Sequence, residues 1–317
     1  MNQFISVHDA GNPNQLAFEA LALKEDPFAY DDLGKHKCLG LIFLNPSLRT
    51  RMSTQRAAQN LGMDVMILNI NQESWALETK DGVKMDGNKV EHIRDAAGVM
   101  GKYCDILGIR SFARLQSKEE DEKEEILNGL IRFSGVPVIS LESAFLHPLQ
   151  SLADLMTIQQ QEKSGNPRIS LIWAPHVKAL PQAVANSFAE WINYAGLDLT
   201  IACPVGYELD ERYSGSARIV HTKEEALEDA DFVYVKNWSK TEPYGEIETG
   251  LDHWMINEAD LNKNKNTCFM HCLPVRRDVE LSSVVLNSGQ SLVIDQAQNR
   301  IYAAQAVLKR MLEEMNK

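Results

Sequence analysis

Short apolar runs recur along the chain, with segments of helical spacing between them. Leu39-Gly40-Leu41-Ile42-Phe43-Leu44 is continuous and apolar, which predicts a buried strand. Asp64–Leu68, Asp105–Ile109 and Val138–Ile139 repeat the pattern, with helices predicted at about 51–61, 91–103 and 123–132. Residues 1–30 predict short polar helices covering one side, and the acidic run Lys118–Glu125 a solvated helix start. An amphipathic helix from Gln150 to Lys163 leads into Ser164-Gly165-Asn166-Pro167 and reads as a bridge between domains. A second series follows: Ile169–Trp173, Leu197–Cys203, Arg218–Val220, Phe232–Val235, Thr267–His271 and Leu292–Ile294 as strands, with helices near 181–194, 223–230 and 258–263. Such alternation predicts an α/β fold of two open parallel-sheet domains with helices on both faces. The expected units are 1–150, rejoined by a C-terminal helix within 299–317, and 151–298. Ligands in such folds bind at the carboxyl ends of strands, here in the cleft between domains.

Composition narrows the function. The chain has 317 residues and a net charge of −12, which disfavours nucleic acid or an anionic membrane as partner. No apolar run approaches the roughly 20 residues of a membrane span. The first residues, Met-Asn-Gln-Phe-Ile-Ser-Val-His-Asp, lack the basic and apolar regions of a signal peptide. An odd, scattered set of cysteines (Cys38, Cys104, Cys203, Cys268, Cys272) predicts reduced thiols in a cytoplasmic protein and no Cys-x-x-Cys zinc site. Any basic anion pocket must therefore be local.

One stretch supplies it. Ser47-Leu48-Arg49-Thr50-Arg51 follows the first strong strand, and Asn45-Pro46 makes the turn. Ser47 is placed to cap a helix whose N-terminus offers backbone N–H groups and a positive dipole end. Arginines at a helix start are ordinarily surface charges. These lack partners, since no Asp or Glu lies between Lys35 and Gly62. The stretch reads as an oxyanion site, and Gly-x-x-x-x-Gly-Lys-Ser/Thr is missing. Further along, Arg110 ends a strand, His147-Pro148-Leu149-Gln150 opens the bridging helix, and His271-Cys272-Leu273-Pro274 follows a strand of the second half. Taken singly, Arg110 could be an edge charge, His147 a packed histidine and Cys272 a small core residue.

Together these motifs resemble the aspartate/ornithine carbamoyltransferase family over nearly the whole chain. Ser47-Leu48-Arg49-Thr50-Arg51 is similar to that family's Ser-Thr-Arg-Thr-Arg, His147-Pro148-Leu149-Gln150 with Asp154 to its second signature, and His271-Cys272-Leu273-Pro274 to its third. The resemblance implies that Ser47, Leu48, Arg49, Thr50, Trp75, Arg110, His147, Gln150, Cys272, Leu273 and Arg300 bind carbamoyl phosphate. Arg49, Thr50, Arg110 and His147 would be catalytic. No metal or organic cofactor is implied.

The acceptor is read the same way. Ornithine enzymes carry Asp-x-x-x-Ser-Met-Gly where this chain has Val235-Lys236-Asn237-Trp238-Ser239-Lys240, and a lysine there suits a carboxylate. Aspartate enzymes supply Ser and Lys from the early loop, which here reads Glu73-Ser74-Trp75-Ala76-Leu77. That Trp, and the long Lys236–Trp254 insertion with Pro243 and Gly245, resemble the N-acylornithine carbamoyltransferases. These are homotrimers in which the Trp75 position reaches a neighbouring subunit's site. The resemblance assigns Glu142, His176, Lys178, Lys236, Arg276, Glu280 and Val90 to the acylornithine. Acetyl-type members carry a carboxylated lysine where Glu280 stands, and a glutamate where Val90 stands; succinyl-type members carry proline at the latter position. An anion there would repel succinate's free carboxylate, and valine does not. With Lys84 and Lys89 in the same loop, N-succinyl-L-ornithine is the expected acceptor, and N-acetyl-L-ornithine the alternative. The expected reaction forms N-succinyl-L-citrulline and phosphate in arginine biosynthesis. The rivals are a non-catalytic oxyanion or amino-acid sensor on the same fold, and a carbamoyltransferase for an amine such as putrescine, which would leave Lys236 without a partner.

Overall fold

The computed structural model describes residues 1–70, 74–162, 165–263 and 265–317; Glu73 of the early loop and Lys163 and Ser164 of the bridge lie outside the described residues. Two five-stranded sheets carry the fold, and every strand pair in them is parallel.

The first sheet holds β1 (Gln3–Phe4), β2 (Cys38–Phe43), β3 (Asp64–Asn69), β6 (Ile106–Arg110) and β7 (Val138–Glu142), in the order β1-β7-β6-β2-β3. A two-stranded ribbon, β4 (Leu77–Glu78) with β5 (Glu91–His92), stands apart. The second sheet holds β8 (Ile169–Trp173), β9 (Leu199–Ala202), β10 (Arg218–Val220), β11 (Phe232–Lys236) and β12 (Cys268–Met270), in the order β10-β9-β8-β11-β12. The central strands are apolar along their length because helices cover both faces. Each sheet reverses its winding once, between β2 and β6 in the first and between β8 and β11 in the second. Loops part at such points and leave a crevice at the carboxyl ends.

The helices are α1 (Pro13–Glu25), α2 (Arg49–Asn60), α3 (Ile93–Tyr103), α4 (Lys118–Glu122), α5 (Glu125–Phe133), α6 (Pro148–Gln161), α7 (Ala183–Tyr194), α8 (Glu211–Ser214), α9 (Lys223–Leu227), α10 (Glu258–Lys263), α11 (Ser283–Leu286) and α12 (Val293–Met315). The bridging helix α6 is buried from Pro148 to Ile158, packed between α1, α7 and α12. Being covered on all sides, it shows little of the one-sided apolar stripe of a surface helix. α12 runs back along α6, α2 and α1, pinned where Asn60 Nδ2 donates to Gln305 Oε1 at 2.9 Å and Asn299 Nδ2 to Thr157 Oγ1 at 2.9 Å.

Four expectations are corrected. Residues 1–30 hold an edge strand, a short 3-10 turn and one thirteen-residue helix whose Leu16, Ala17, Ala20 and Leu23 are buried, not several polar helices. Leu292–Ile294 is no strand: Gln296 N–H donates to Leu292 O at 2.9 Å as α12 begins, and the sheet-like pairing stops one residue earlier, at Ser291. A short apolar run cannot by itself distinguish strand from helix. The helix expected at 123–132 is broken by Glu124, which has φ 40°. Nor is the acidic run simply solvated. Asp121 is buried, accepts from the Arg114 and Leu115 N–H groups and takes the Tyr244 hydroxyl at 2.9 Å.

That last bond crosses between the two halves, as does Arg212 to Glu122 at 3.1 Å. Beside it Gly245 has φ 78°, and a Cβ there would stand 2.6 Å from Leu115 O. The insertion therefore closes on the first domain through a residue that must be glycine. Among the described residues no helix is long and apolar enough to cross a membrane.

Candidate active site

A cavity of about 940 Å³ opens where both crevices face each other. The loop after β2, the start of α2 and the end of β6 line one side, and the loops after β8, β11 and β12 the other. It gathers Arg49, Arg51, Arg110, Lys178, Lys236, Arg276 and Arg300 around a single carboxylate, Glu142. In a chain of net charge −12 this concentration of cations marks an anion site.

The inner end is built on α2. The helix begins at Arg49, so the cap position falls on Leu48 and not on Ser47 as the sequence suggested; from one residue earlier, Ser47 Oγ still accepts the Thr50 N–H at 3.2 Å. Thr50 is buried and its Oγ1 accepts from Arg300 Nη2 at 2.6 Å and from Arg110 Nη1 at 3.2 Å. A hydroxyl that accepts twice still has its own proton to give, so Thr50 can act as a donor to a bound oxyanion. Arg51 stacks over Phe43 at 4.9 Å and donates to Asn69. Arg110 stacks over Phe112 at 4.3 Å, while Asn45 Oδ1 accepts the Phe112 N–H at 2.8 Å and ties the two loops together.

A register shift aims Arg110. The β6–β7 ladder slips between Ile109 and Arg110, so that Arg110 faces Glu142 where the regular ladder would have placed Leu141. Arg110 Nη1 lies 2.5 Å from Glu142 Oε2, which also meets His147 Nε2 at 3.4 Å. Burial pushes Glu142 up, opposed by Arg110, Arg300 and Lys236. Burial, with Arg300 and Arg110 nearby, holds His147 well below its usual range, so the ring is neutral. Among the described residues its Nδ1 has no partner. Burial and the Arg110 charge bring Arg300 down to about 10, and burial also lowers Arg49. The Nε atoms of Arg49, Arg110 and Arg300 are buried and have no partner among the described residues. Crowded cations with unused donors suit a dianion.

The far wall is the loop after β12. Leu273 has φ 54°. His271 Nδ1 accepts the Leu273 N–H at 2.9 Å, which leaves Nε2 to donate to Glu280 Oε1 at 3.3 Å. Glu280 Oε2 accepts the Arg276 N–H at 2.7 Å. Burial alone would raise Glu280, but His271, Lys236 and that N–H bring it down to about 2. Burial raises the Cys272 thiol, so it is no poised nucleophile. At the mouth Arg276 Nε donates to His176 Nε2 at 3.1 Å, and His176 Nδ1 then donates to Lys178 O at 2.8 Å. Lys236 is buried and donates to Asn237 O at 3.1 Å.

Of the residues expected at the site, Ser47, Leu48, Arg49, Thr50, Arg110, Glu142, His147, Gln150, His176, Lys178, Lys236, Cys272, Leu273, Arg276 and Arg300 line one cavity. Three do not. Glu280 sits behind the wall and braces it. Trp75 is half exposed, its Nε1 donating to Glu91 at 2.8 Å, and Val90 is 69 % exposed. Neither lines this cavity. The loop's charge is also not what the sequence implied, for Lys84 pairs with Asp86 at 2.9 Å and Lys89 with Glu78 at 3.1 Å. Sequence reasoning missed Phe112, Asn45 and Gln296, whose amide accepts the His271 N–H at 2.9 Å. Only the position of Gln296 in the polar run before Arg300 hinted at it.

Comparison with known proteins gives a consistent picture. Residues 2–160 match the model of the aspartate/ornithine carbamoyltransferase carbamoyl-P binding domain, and residues 181–311 that of the Asp/Orn binding domain. The chain is 48% identical over 317 residues to an N-succinylornithine carbamoyltransferase of Bacteroides fragilis, covering 99% of this chain and 100% of that one. It is 33% identical to an N-acetylornithine carbamoyltransferase of Xanthomonas campestris, covering 93% and 94%. A solved N-acetyl-L-ornithine transcarbamylase, a glutamate-to-valine mutant complexed with carbamyl phosphate and N-succinyl-L-norvaline, superposes with a TM-score of 0.91 at 31% identity, covering 98% of this chain and all of that one.

Proposed function

Because the chain belongs to the aspartate/ornithine carbamoyltransferase family, we propose that it moves the carbamoyl group of carbamoyl phosphate to the side-chain amine of N-succinyl-L-ornithine. The products are N-succinyl-L-citrulline and phosphate, a step of arginine biosynthesis. The observation that carries this reading is the convergence of Arg110 and Arg300 on Thr50 at the start of α2, inside a cationic cavity.

Ser47, Arg49, the N–H groups at the start of α2, and Trp75 of the partner subunit hold the phosphate. Thr50, Arg110 and His147 donate to the carbamoyl oxygen, which becomes negative as the amine adds to the carbon. For His147 this requires its one ring proton to face the substrate. Gln150 and the carbonyls of Cys272 and Leu273 accept from the carbamoyl NH₂. The new C–N bond forms as the C–O bond to phosphate breaks, and the departing phosphate takes the amine's proton. Alignment and fixed charge supply the rate, with no dedicated protein base.

Lys236 and Arg276 take the acceptor's α-carboxylate, Glu142 its backbone amide, and His176 and Lys178 its acyl end, with Glu280 bracing Arg276. Val90 of the partner subunit closes over the acyl group without opposing a second carboxylate. Mutants of an N-acetyl-L-ornithine transcarbamylase in which one glutamate is replaced by alanine, serine, valine or proline hold N-succinyl-L-norvaline, in keeping with a succinyl group being admitted where an opposing charge is missing. On this reading residues 1–150 with 299–317 serve carbamoyl phosphate, 151–298 serve the acylornithine, and the working form is a cytoplasmic homotrimer with shared sites.

The test is phosphate release from carbamoyl phosphate mixed with N-succinyl-L-ornithine, N-acetyl-L-ornithine, L-ornithine or putrescine. The succinylated amine should turn over at least about tenfold faster than the acetylated one, the factor of a single favourable charge contact. Faster turnover of the acetylated amine overturns the acyl assignment. No release with any amine favours a sensor.

A further inference from the structure

Asp154 is wholly buried on α6 and has been given no part in the chemistry. Its Oδ1 accepts from Gln150 Nε2 at 2.8 Å and from Gln296 Nε2 at 2.6 Å. Gln150 is one turn back on the same helix and lines the cavity, and Gln296 belongs to the first turn of α12. Gln296 Oε1 accepts the backbone N–H of His271 at 2.9 Å, the residue that opens the far wall.

An amide has one accepting end and one donating end, while a carboxylate oxygen here only accepts and a backbone N–H only donates. Gln296 is therefore fixed from both sides: its NH₂ must face Asp154 and its oxygen must face His271. Gln150 is fixed from one side only. With its NH₂ turned to Asp154, it presents Oε1 elsewhere, and that oxygen is buried with no partner among the described residues. We propose that Asp154 is a positioning residue that sets the direction of the Gln150 amide, so that the cavity offers a hydrogen-bond acceptor to the NH₂ of the carbamoyl donor. This rests on the proposed function, and it adds a means of selection. A donor bearing a methyl group in place of that NH₂, as acetyl phosphate does, leaves Gln150 Oε1 unpaired.

Burial lifts Asp154 to about 7, opposed by the hydrogen bonds from Gln150 and Gln296. A proton on Oδ2 leaves both bonds to Oδ1 in place. Orientation thus depends on the Oδ1 acceptor and not on the charge, which separates it from a proton-transfer role.

The test measures Kd for carbamoyl phosphate, acetyl phosphate and inorganic phosphate by calorimetry on the full-length protein and on Asp154→Leu and Asp154→Asn. In Asp154→Leu the preference for carbamoyl over acetyl phosphate should shrink about tenfold, the worth of one buried hydrogen bond, with inorganic phosphate changed less than about twofold. Asp154→Asn retains an oxygen where Oδ1 stood and should keep the preference within about threefold. An undiminished preference in Asp154→Leu, or its loss in Asp154→Asn, overturns the proposal. Equal weakening toward all three ligands does so too, since that marks general distortion. Should the leucine variant not fold, Asp154→Ala is read in its place, and the asparagine result stands on its own. If the unaltered protein binds no carbamoyl phosphate, the proposed function fails, which is a separate outcome.

Discussion

The two ends of the cavity are built differently. At the inner end Thr50, His147, Gln150 and Arg300 are buried, and their polar atoms meet buried partners: Arg300 meets Thr50, His147 meets Glu142 and Gln150 meets Asp154. At the mouth Lys178 and Arg276 are exposed; Arg276 Nε donates to His176 Nε2, and Lys178 meets the same ring through its backbone oxygen. A buried charge must be held by several partners or its desolvation goes uncompensated, so the inner end tolerates little change. An exposed charge stays solvated and can be replaced at small cost. On the proposed function, donor chemistry belongs to the buried end and acceptor choice to the exposed one.

The largest expected effect tests the buried end. Arg49→Ala should cut kcat/KM by about a thousandfold or more and weaken carbamoyl-phosphate binding with it, since it removes charge-assisted bonds to the phosphate. Steady-state kinetics with calorimetry decide this, and activity within about tenfold of the parent would erase the contrast between the ends. Glu280 joins the two, bonding His271 on one side and the Arg276 N–H on the other. Its pKa falls to about 2 in the folded protein, from the ordinary glutamate value of 4.5. Between those pH values the unfolded chain takes up a proton that folded Glu280 does not, so this contribution is present above about pH 4.5 and lost as pH falls toward 2. Glu280→Gln should cost about 3 kcal/mol at pH 7, with the difference from the parent closing below pH 4.5 in urea-unfolding series. A pH-independent difference would mean that Glu280 acts by packing alone. The smallest effect on the fold tests the exposed end. Val90→Glu should change stability by less than about 0.5 kcal/mol, as befits an exposed position. Yet it should lower the succinyl-to-acetyl preference about tenfold, through charge repulsion in the assembled protein. An unaltered preference would remove Val90 from acceptor selection.

Most elements were legible because periodicity is a local property. Ile169–Trp173, Arg218–Val220 and the helix at 258–263 fall where the sequence places them, and the strand–turn–helix around Ser47-Leu48-Arg49-Thr50-Arg51 follows from an apolar run, a proline turn and a serine hydroxyl that takes the Thr50 N–H. Where an apolar run was too short to choose its own conformation, as at Leu292–Ile294, local pattern failed and the helix won.

The amino-acid order alone thus determined the parallel α/β architecture, the strand-end positions of the reactive side chains and the family motifs. Only the tertiary structure decided which of them meet. Arg300 reaches Thr50 across 250 positions because α12 folds back on α2. Arg110 faces Glu142 because the ladder slips by a residue. Lys84 and Lys89 are engaged by Asp86 and Glu78 and so lend the loop less free charge than their spacing implied. The physical reason is that side-chain periodicity is set within a few residues, whereas strand order, register and the pairing of charges are set by packing between segments far apart in the chain.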